Sequence, residues 1–238
     1  GVALAPHSAD AQTILGFAYL STDQDNAARS AFDFAVRINS ADPRARMGLG
    51  LTRIRQGQLQ AGREDLELAG SLDPENALLR AYLGRAYDAE GRSSDAAEQY
   101  ARAKHLDAQD PTAYFFSALQ LAASNAPVSA KEQMQEALSR NETRAVYRGQ
   151  TLLEEDRVLR QANVVALNRT LGFDDAARAE ASAALAENPQ SGVLHRALGD
   201  SLATLPNASL TRQSEYLQAS LRAPLGALPT PLALSENV

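Results

Sequence analysis

The 238-residue chain has no cysteine, no tryptophan, two methionines and only 5% aromatic residues. Without cysteine there can be no disulfide framework, thiolate metal site or cysteine nucleophile. The compartment stays open, because such a chain suits oxidising and reducing surroundings equally. Scarce aromatic and β-branched residues argue against a sandwich or barrel, since strands draw on those side chains. An excess of positive charge is also missing. Lys and Arg number 23 against 29 Asp and Glu, a formal net charge of −6, which argues against binding phosphate backbones. No apolar run approaches the ~18 residues of a membrane span. The opening Gly1-Val2-Ala3-Leu4-Ala5-Pro6 is too short and uncharged for a signal peptide.

Alanine is what abounds, at about a fifth of the chain, far above ordinary usage. With Leu, Arg, Glu and Gln it favours helix, because these side chains lose little freedom there. A period organises them. Leu15-Gly16, Leu49-Gly50 and Leu83-Gly84 stand 34 residues apart, and Leu198-Gly199 repeats the dipeptide. Tyr19 and Tyr87 follow their glycines by three residues, and Ala28 and Ala96 by twelve. Phe32, Leu66, Tyr100 and Met134 come one turn later, then Ala35, Ala69, Ala103 and Ala137. Pro74 and Pro189 close their repeats.

This pattern resembles the tetratricopeptide repeat, a 34-residue helical hairpin. The match is tightest from Leu72-Asp73-Pro74-Glu75-Asn76 through Leu83-Gly84, Tyr87, Gly91, Ala96, Tyr100 and Ala103. It departs at the usual Trp position, held by Gln12, Arg46, Arg80, Tyr114, Gln161 and His195, and at the glycine, replaced by Ala118 and Val165. The resemblance implies an all-α fold: a right-handed α–α superhelix, a solenoid of about six hairpins. Each helix, at about 13–14 residues, is marginal alone and is stabilised by stacking on its neighbours.

The register divides the chain as follows. Residues 1–8 read as the end of a preceding repeat. Four hairpins fill 9–144 and two fill 158–222. Between them, 145–157 is an insertion, read as a linker, a short extra helix or a longer surface loop. Residues 223–238 carry Pro224, Pro229 and Pro231 and cannot form a useful helix. They read as an extended linker or as a strand-like segment along the array. Gly57, Gly91 and Gly172 are expected to end first helices, and Pro43 and Pro111 to begin new ones.

Motifs for chemistry are scarce. His7, His105 and His195 stand singly, without metal-ligand spacing. Neither GxGxxG, Walker A nor GxSxG occurs. Glu154-Glu155-Asp156 lacks the alternating oxygens and glycine of a Ca²⁺ loop. It reads as an acidic run favouring the start of the next helix. The expectation is a protein without enzymatic activity, cofactor or metal.

In the tetratricopeptide resemblance, the first helix of each hairpin lines a concave groove. Its second, fifth, ninth, twelfth and thirteenth positions are expected to be exposed. They include Thr13, Phe17, Met47, Leu51, Ile54, Ala81, Phe115 and Leu119, flanked by Arg44, Arg55 and Arg85. An exposed apolar strip marks an interaction site, and the arginines could pair with a partner's carboxylates. The candidate partner-binding set is thus Phe17, Arg44, Met47, Leu51, Arg55, Arg85, Phe115 and Leu119. The family's chaperone-tail clamp is not matched, because Thr13, Phe17, Gly48, Leu78 and Tyr82 occupy its places.

Arg144-Ala145-Val146-Tyr147-Arg148-Gly149-Gln150-Thr151-Leu152-Leu153 and the segment from Ser214 to Leu225 resemble bacterial envelope proteins. In those, a periplasmic array precedes an outer-membrane β-barrel. The resemblance implies a periplasmic or outer-membrane-associated scaffold that binds a protein or peptide, while the acidic balance argues against nucleic acid and the short apolar runs against a membrane span in this segment. The alternatives are a cytoplasmic adaptor, a head-to-tail self-assembling subunit, or an auxiliary module of a polysaccharide-export or glycosyltransferase enzyme.

Overall fold

The computed structural model describes residues 8–140 and 150–222, with only the backbone of 150–156. The expected ends of the array, 1–7 and 223–238, lie outside the described residues. All described elements are helices: α1 (Ala9–Leu20), α2 (Asp25–Ile38), α3 (Pro43–Arg55), α4 (Leu59–Leu72), α5 (Ala77–Ala89), α6 (Ser93–Leu106), α7 (Pro111–Ala123), α8 (Pro127–Ser139), α9 (Gln150–Thr170), α10 (Asp174–Glu187), α11 (Gly192–Ser201) and α12 (Ser209–Arg222). They form two compact units that divide after Ala108, α1–α6 and α7–α12. Of the expected insertion, 145–149 lie outside the described residues. Residues 150–157 are helical and form the N-terminal part of α9.

The hairpins start and turn by a repeated local rule. The first helices α1, α3, α5, α7 and α11 carry a side-chain cap: Ser8, Asp42, Asn76, Asp110 and Ser191 each accept a hydrogen bond from a first-turn amide. Such caps satisfy amides that have no partner within the helix. Pro43 and Pro111 follow two of these caps, where a missing N–H costs little. The second helices α2, α4, α6, α8 and α10 have no such cap. Each of these five follows a residue in the left-handed region instead: Asp23, Gly57, Gly91, Asn125 and Gly172, with φ between 56° and 78°. Three are the glycines expected from sequence. Asp23 and Asn125 hold the same turn, because Asp and Asn tolerate this conformation better than other side chains.

Within each hairpin, helix separation is set by one small residue facing one larger one. Phe32 is fully buried between two glycines: a Cβ added to Gly16 would stand 2.6 Å from its ring, and one on Gly48 would meet the ring as well. Tyr100 fills the same role against Gly84, and Leu66 packs on Gly50. The two departures from the glycine pattern are compensated in volume. Ala118 shares a core with Met134, and Val165 shares one with Ala181. Compared with the Gly16–Phe32 and Gly84–Tyr100 pairs, each has a larger residue on the first helix and a smaller one on the second, so the combined volume stays close.

Polar groups pin these seams. Asp65, 6% exposed, pairs with Arg53 at 2.6 Å and Arg46 at 3.6 Å. Burial pushes its carboxyl up despite both arginines. Arg63 bridges Glu67 at 2.7 Å and Glu90 at 2.9 Å, and Glu67 also accepts the Tyr87 hydroxyl at 2.8 Å. Burial and that hydrogen bond push the Tyr87 phenol up to about 12. His195, at the register's Trp position, donates from Nε2 to the Pro189 carbonyl at 3.1 Å and meets Glu215 through Nδ1 at 2.6 Å. It ties the turn before α11 to α12, a structural role.

Burial also lowers Lys104 on α6, to about 8. An amine whose pKa is lowered by folding takes up protons more readily in the unfolded chain. Stability conferred by this site is therefore expected to rise with pH between about 8 and 10.5. Lys104→Met removes that dependence and is expected to raise stability at pH 7 by about 1–2 kcal/mol, allowing for water that still reaches the amine. Thermal melts of both forms at pH 7 and pH 10 measure this. A gap that does not narrow at pH 10 would contradict it.

Candidate partner-binding face

The eight residues expected to bind a partner divide between the two units. In the first unit, Phe17 is half-buried and packs edge-on against Phe32, with ring centroids 5.0 Å apart. Leu51 is likewise half-buried and lies against the core of Ile54, Leu66 and Leu83. Met47 is a member of that core, 9% exposed, which corrects the expectation that it is open to a partner. The same register position is buried at Thr13 and Ala81, and Ile54 is buried as well. In the first unit the fifth position therefore belongs to the seam between hairpins, where α3 reaches back to its predecessor. Met47→Glu is expected to cost about 3 kcal/mol or more by burying a carboxylate. A chemical denaturation curve reads the loss, and a wild-type midpoint would contradict this placement.

The arginines of this face meet carboxylates of their own unit. Arg44 pairs with Asp10 at 2.5 Å. Arg55 pairs with Asp23 at 2.5 Å and Asp25 at 3.1 Å, and donates to the Leu20 carbonyl. Arg85 pairs with Asp88 at 3.0 Å. Their charge is largely answered from within, so an added carboxylate would compete with existing pairs. The exposed pairs contribute little to stability, since water screens them.

In the second unit, Phe115 and Leu119 on α7 are half-buried against Ala118, Met134, Val164 and Leu167. The Arg160 guanidinium stands over the Phe115 ring at 5.5 Å. Both residues retain exposed surface on the first-helix face.

Sequence reasoning missed a cleft of about 460 Å³ between α9, α11 and α12. Ala162, Val165, Ala166 and Ala197 line its floor, and Arg169, Arg196, Asp200, Tyr216 and Ser220 its sides. The Tyr216 hydroxyl donates to Asp200 at 2.7 Å, and burial with that hydrogen bond raises the phenol pKa. Arg169 stands 4.0 Å from the other Asp200 oxygen. A signal exists in the sequence, because Ala162, Ala166, Arg169, Arg196 and Asp200 occupy the fifth, ninth and twelfth positions of the last two hairpins. The expected exposed strip covers only the first four hairpins.

Among the described residues, no group of three or more His, Asp or Glu is placed to hold a metal ion. No described helix is long and apolar enough to cross a membrane.

No family model matches the chain, and no curated protein is significantly similar to it. Solved structures do resemble it. Cut9 in the APC/C hetero-tetramer Cut9–Hcn1 aligns with 94% of the chain at 19% identity and a TM-score of 0.76. This chain spans 42% of that protein's length. TTC0263, a tetratricopeptide protein of Thermus thermophilus, aligns over 90% of this chain and 100% of its own, at 18% identity and a TM-score of 0.66. PilF of Pseudomonas aeruginosa aligns over 90% and 89%, at 16% identity and 0.62. At these identities the likeness establishes the fold. It is the tetratricopeptide solenoid expected from the 34-residue spacing.

Proposed function

We propose that the chain is a non-catalytic protein-interaction scaffold, the periplasmic tetratricopeptide portion of a larger bacterial envelope protein. Its first-helix face would hold a partner segment. The carrying observation is that half-buried apolar side chains, Leu51 in the first unit and Phe115 and Leu119 in the second, recur on that face. Partly exposed apolar residues at recurring register positions suit a partner's side chains. The envelope context rests on the resemblance of the 144–153 and 214–225 segments and on the proline-rich stretch after Arg222.

Leu51→Glu and Leu119→Glu, made in the full-length protein, test the face. Affinity capture from an envelope extract is expected to lose one specific partner with both variants at unchanged helicity. Unchanged capture would exclude this face. Fractionation of the source cell tests the compartment, and recovery in the cytosol would contradict it.

Self-assembly is a second reading, favoured by α12. Leu210, Leu217 and Leu221 are 80%, 57% and 70% exposed and recur at helical spacing along that element. On α1, Ile14 is 66% exposed. Pairing of unlike surfaces such as these generates open chains. A mass in solution that grows with concentration would favour this reading, and a monomer at high concentration would exclude it. In the third alternative, an auxiliary module of a polysaccharide-export or glycosyltransferase enzyme, catalysis would lie elsewhere in a longer protein.

A further inference from the structure

The outer side of α12 departs from the pattern of the other second helices. Leu210, Leu217 and Leu221, all largely exposed, fall in one stripe within about 40° of each other around the helix. The stripe lies opposite Ala219, which is buried and whose carbonyl oxygen approaches Gly192 of α11. Tyr216 fixes the register, because it faces Gly199 as Phe32 faces Gly16 and Tyr100 faces Gly84. At the three equivalent positions α2 carries Asn26, Asp33 and Arg37, and α4 carries Gln60, Glu67 and Ser71. No other second helix has a leucine at any of the three.

Nor is this the side on which a following hairpin packs. The residues that reach the next hairpin are Arg29, Arg63 and Arg178, which donate to Gln56, Glu90 and the Ser201 carbonyl. The same register position on α12 holds Gln213. Leucines that recur along one side of one helix, where its counterparts are polar or small, mark a surface that something covers.

The chain itself supplies a cover of matching length and chemistry. Sixteen residues follow Arg222, among them Leu225, Leu228, Leu232 and Leu234, with Pro229 and Pro231 favouring extended chain. In that conformation Leu228 to Leu234 spans about 19 Å, and Leu221 to Leu210 measures about 16 Å along α12. A proline-rich extended segment needs no hydrogen-bonding partner, and the helix offers none, since its amides are engaged within it. Being tethered, the segment also has a high effective concentration at the stripe. A second copy would have to bind through three side chains, where a stable interface contributes about 20–30 residues a side.

We propose that the segment 227–235 folds back along α12, antiparallel to it, and covers the leucine stripe, with Leu228 near Leu221 and Leu234 near Leu210. Covered in this way, α12 is not available for self-assembly. The contact uses no residue of the first-helix face, so it stands or falls apart from the scaffold reading.

The absence of cysteine allows a direct test by thiol trapping in the whole chain. Leu210→Cys combined with Leu234→Cys is treated with oxidised glutathione at low protein concentration, and closure of the intramolecular disulfide is followed by gel mobility. The control pair is Ser209→Cys with Leu234→Cys, one residue away and about 100° round the helix. Closure is expected to be at least about tenfold faster at 210 than at 209, because docking holds the first pair together while the control waits on a free tether. Adding Leu217→Gln and Leu221→Gln to the first pair is expected to bring its rate down to the control's. The substituted positions on α12 are exposed, so helicity is expected to be the same in all variants by circular dichroism.

Equal closure rates at 210 and 209 would overturn the proposal, as would a rate that the two glutamines leave unchanged. Disulfides formed between chains, at a rate that grows with concentration, would give the stripe to a second copy and overturn it too.

Discussion

Phe32→Ala is expected to destabilise the first unit by about 3–5 kcal/mol, the range for truncating a buried aromatic residue. Phe32 is fully buried, with Gly16 on α1 and Gly48 on α3 against its ring. Neither glycine has a side chain to move into the space left behind, so the cavity can close only if whole helices shift. Phe17 loses its edge-on partner at the same time. Because hairpins are held by their neighbours, hydrogen exchange is expected to speed up first in α1 and α2. Thermal unfolding with exchange read-out measures both effects. A loss under about 1 kcal/mol would show that the seam collapses around the smaller residue.

Gly50→Ala is expected to cost about 3 kcal/mol through overpacking. A Cβ at this position would lie 2.7 Å from the Gly62 carbonyl oxygen. That obstacle is backbone, so α3 and α4 must move apart, and Ile54, Leu66 and Ala69 move with them. Gly57→Ala provides the contrast. Nothing lies within 4 Å of its added Cβ, but its φ is +78°, so the cost is conformational strain of about 1 kcal/mol. Denaturant midpoints of the two variants give the ranking. A milder effect at Gly50 than at Gly57 would contradict the close approach of α3 and α4.

The fold is legible in the sequence because its determinants are periodic. Leu15-Gly16, Leu49-Gly50 and Leu83-Gly84 mark places where a facing ring or backbone leaves no room for a Cβ. Periodicity is less informative where a role can be filled in several ways. Asp23 and Asn125 adopt the same left-handed turn as Gly57 without being glycine. Val165 breaks the glycine rule, but Ala181 restores the combined volume from the facing helix.

Exposure is harder to read than helicity. The register position of Met47 points to the open face, yet its burial depends on how closely Leu66, Leu79 and Leu83 approach from three-dimensional neighbours. Charge pairing is harder still. Asp10 and Arg44 are 34 residues apart, so sequence shows an arginine while the structure shows one already paired. The cleft of Arg169 and Arg196 lies within reach of the same register and emerges only when α9 and α12 are both packed against α11.

The most direct test of the account is site-specific photo-crosslinking in the full-length protein within its own cell. A photoreactive residue would replace Leu51 or Leu119 on the first-helix face, and Ser30 or Gln135 on the exposed face of second helices. The account predicts the same discrete crosslinked partner from Leu51 and Leu119, and none from Ser30 or Gln135. Crosslinks formed only from Ser30 and Gln135 would contradict it.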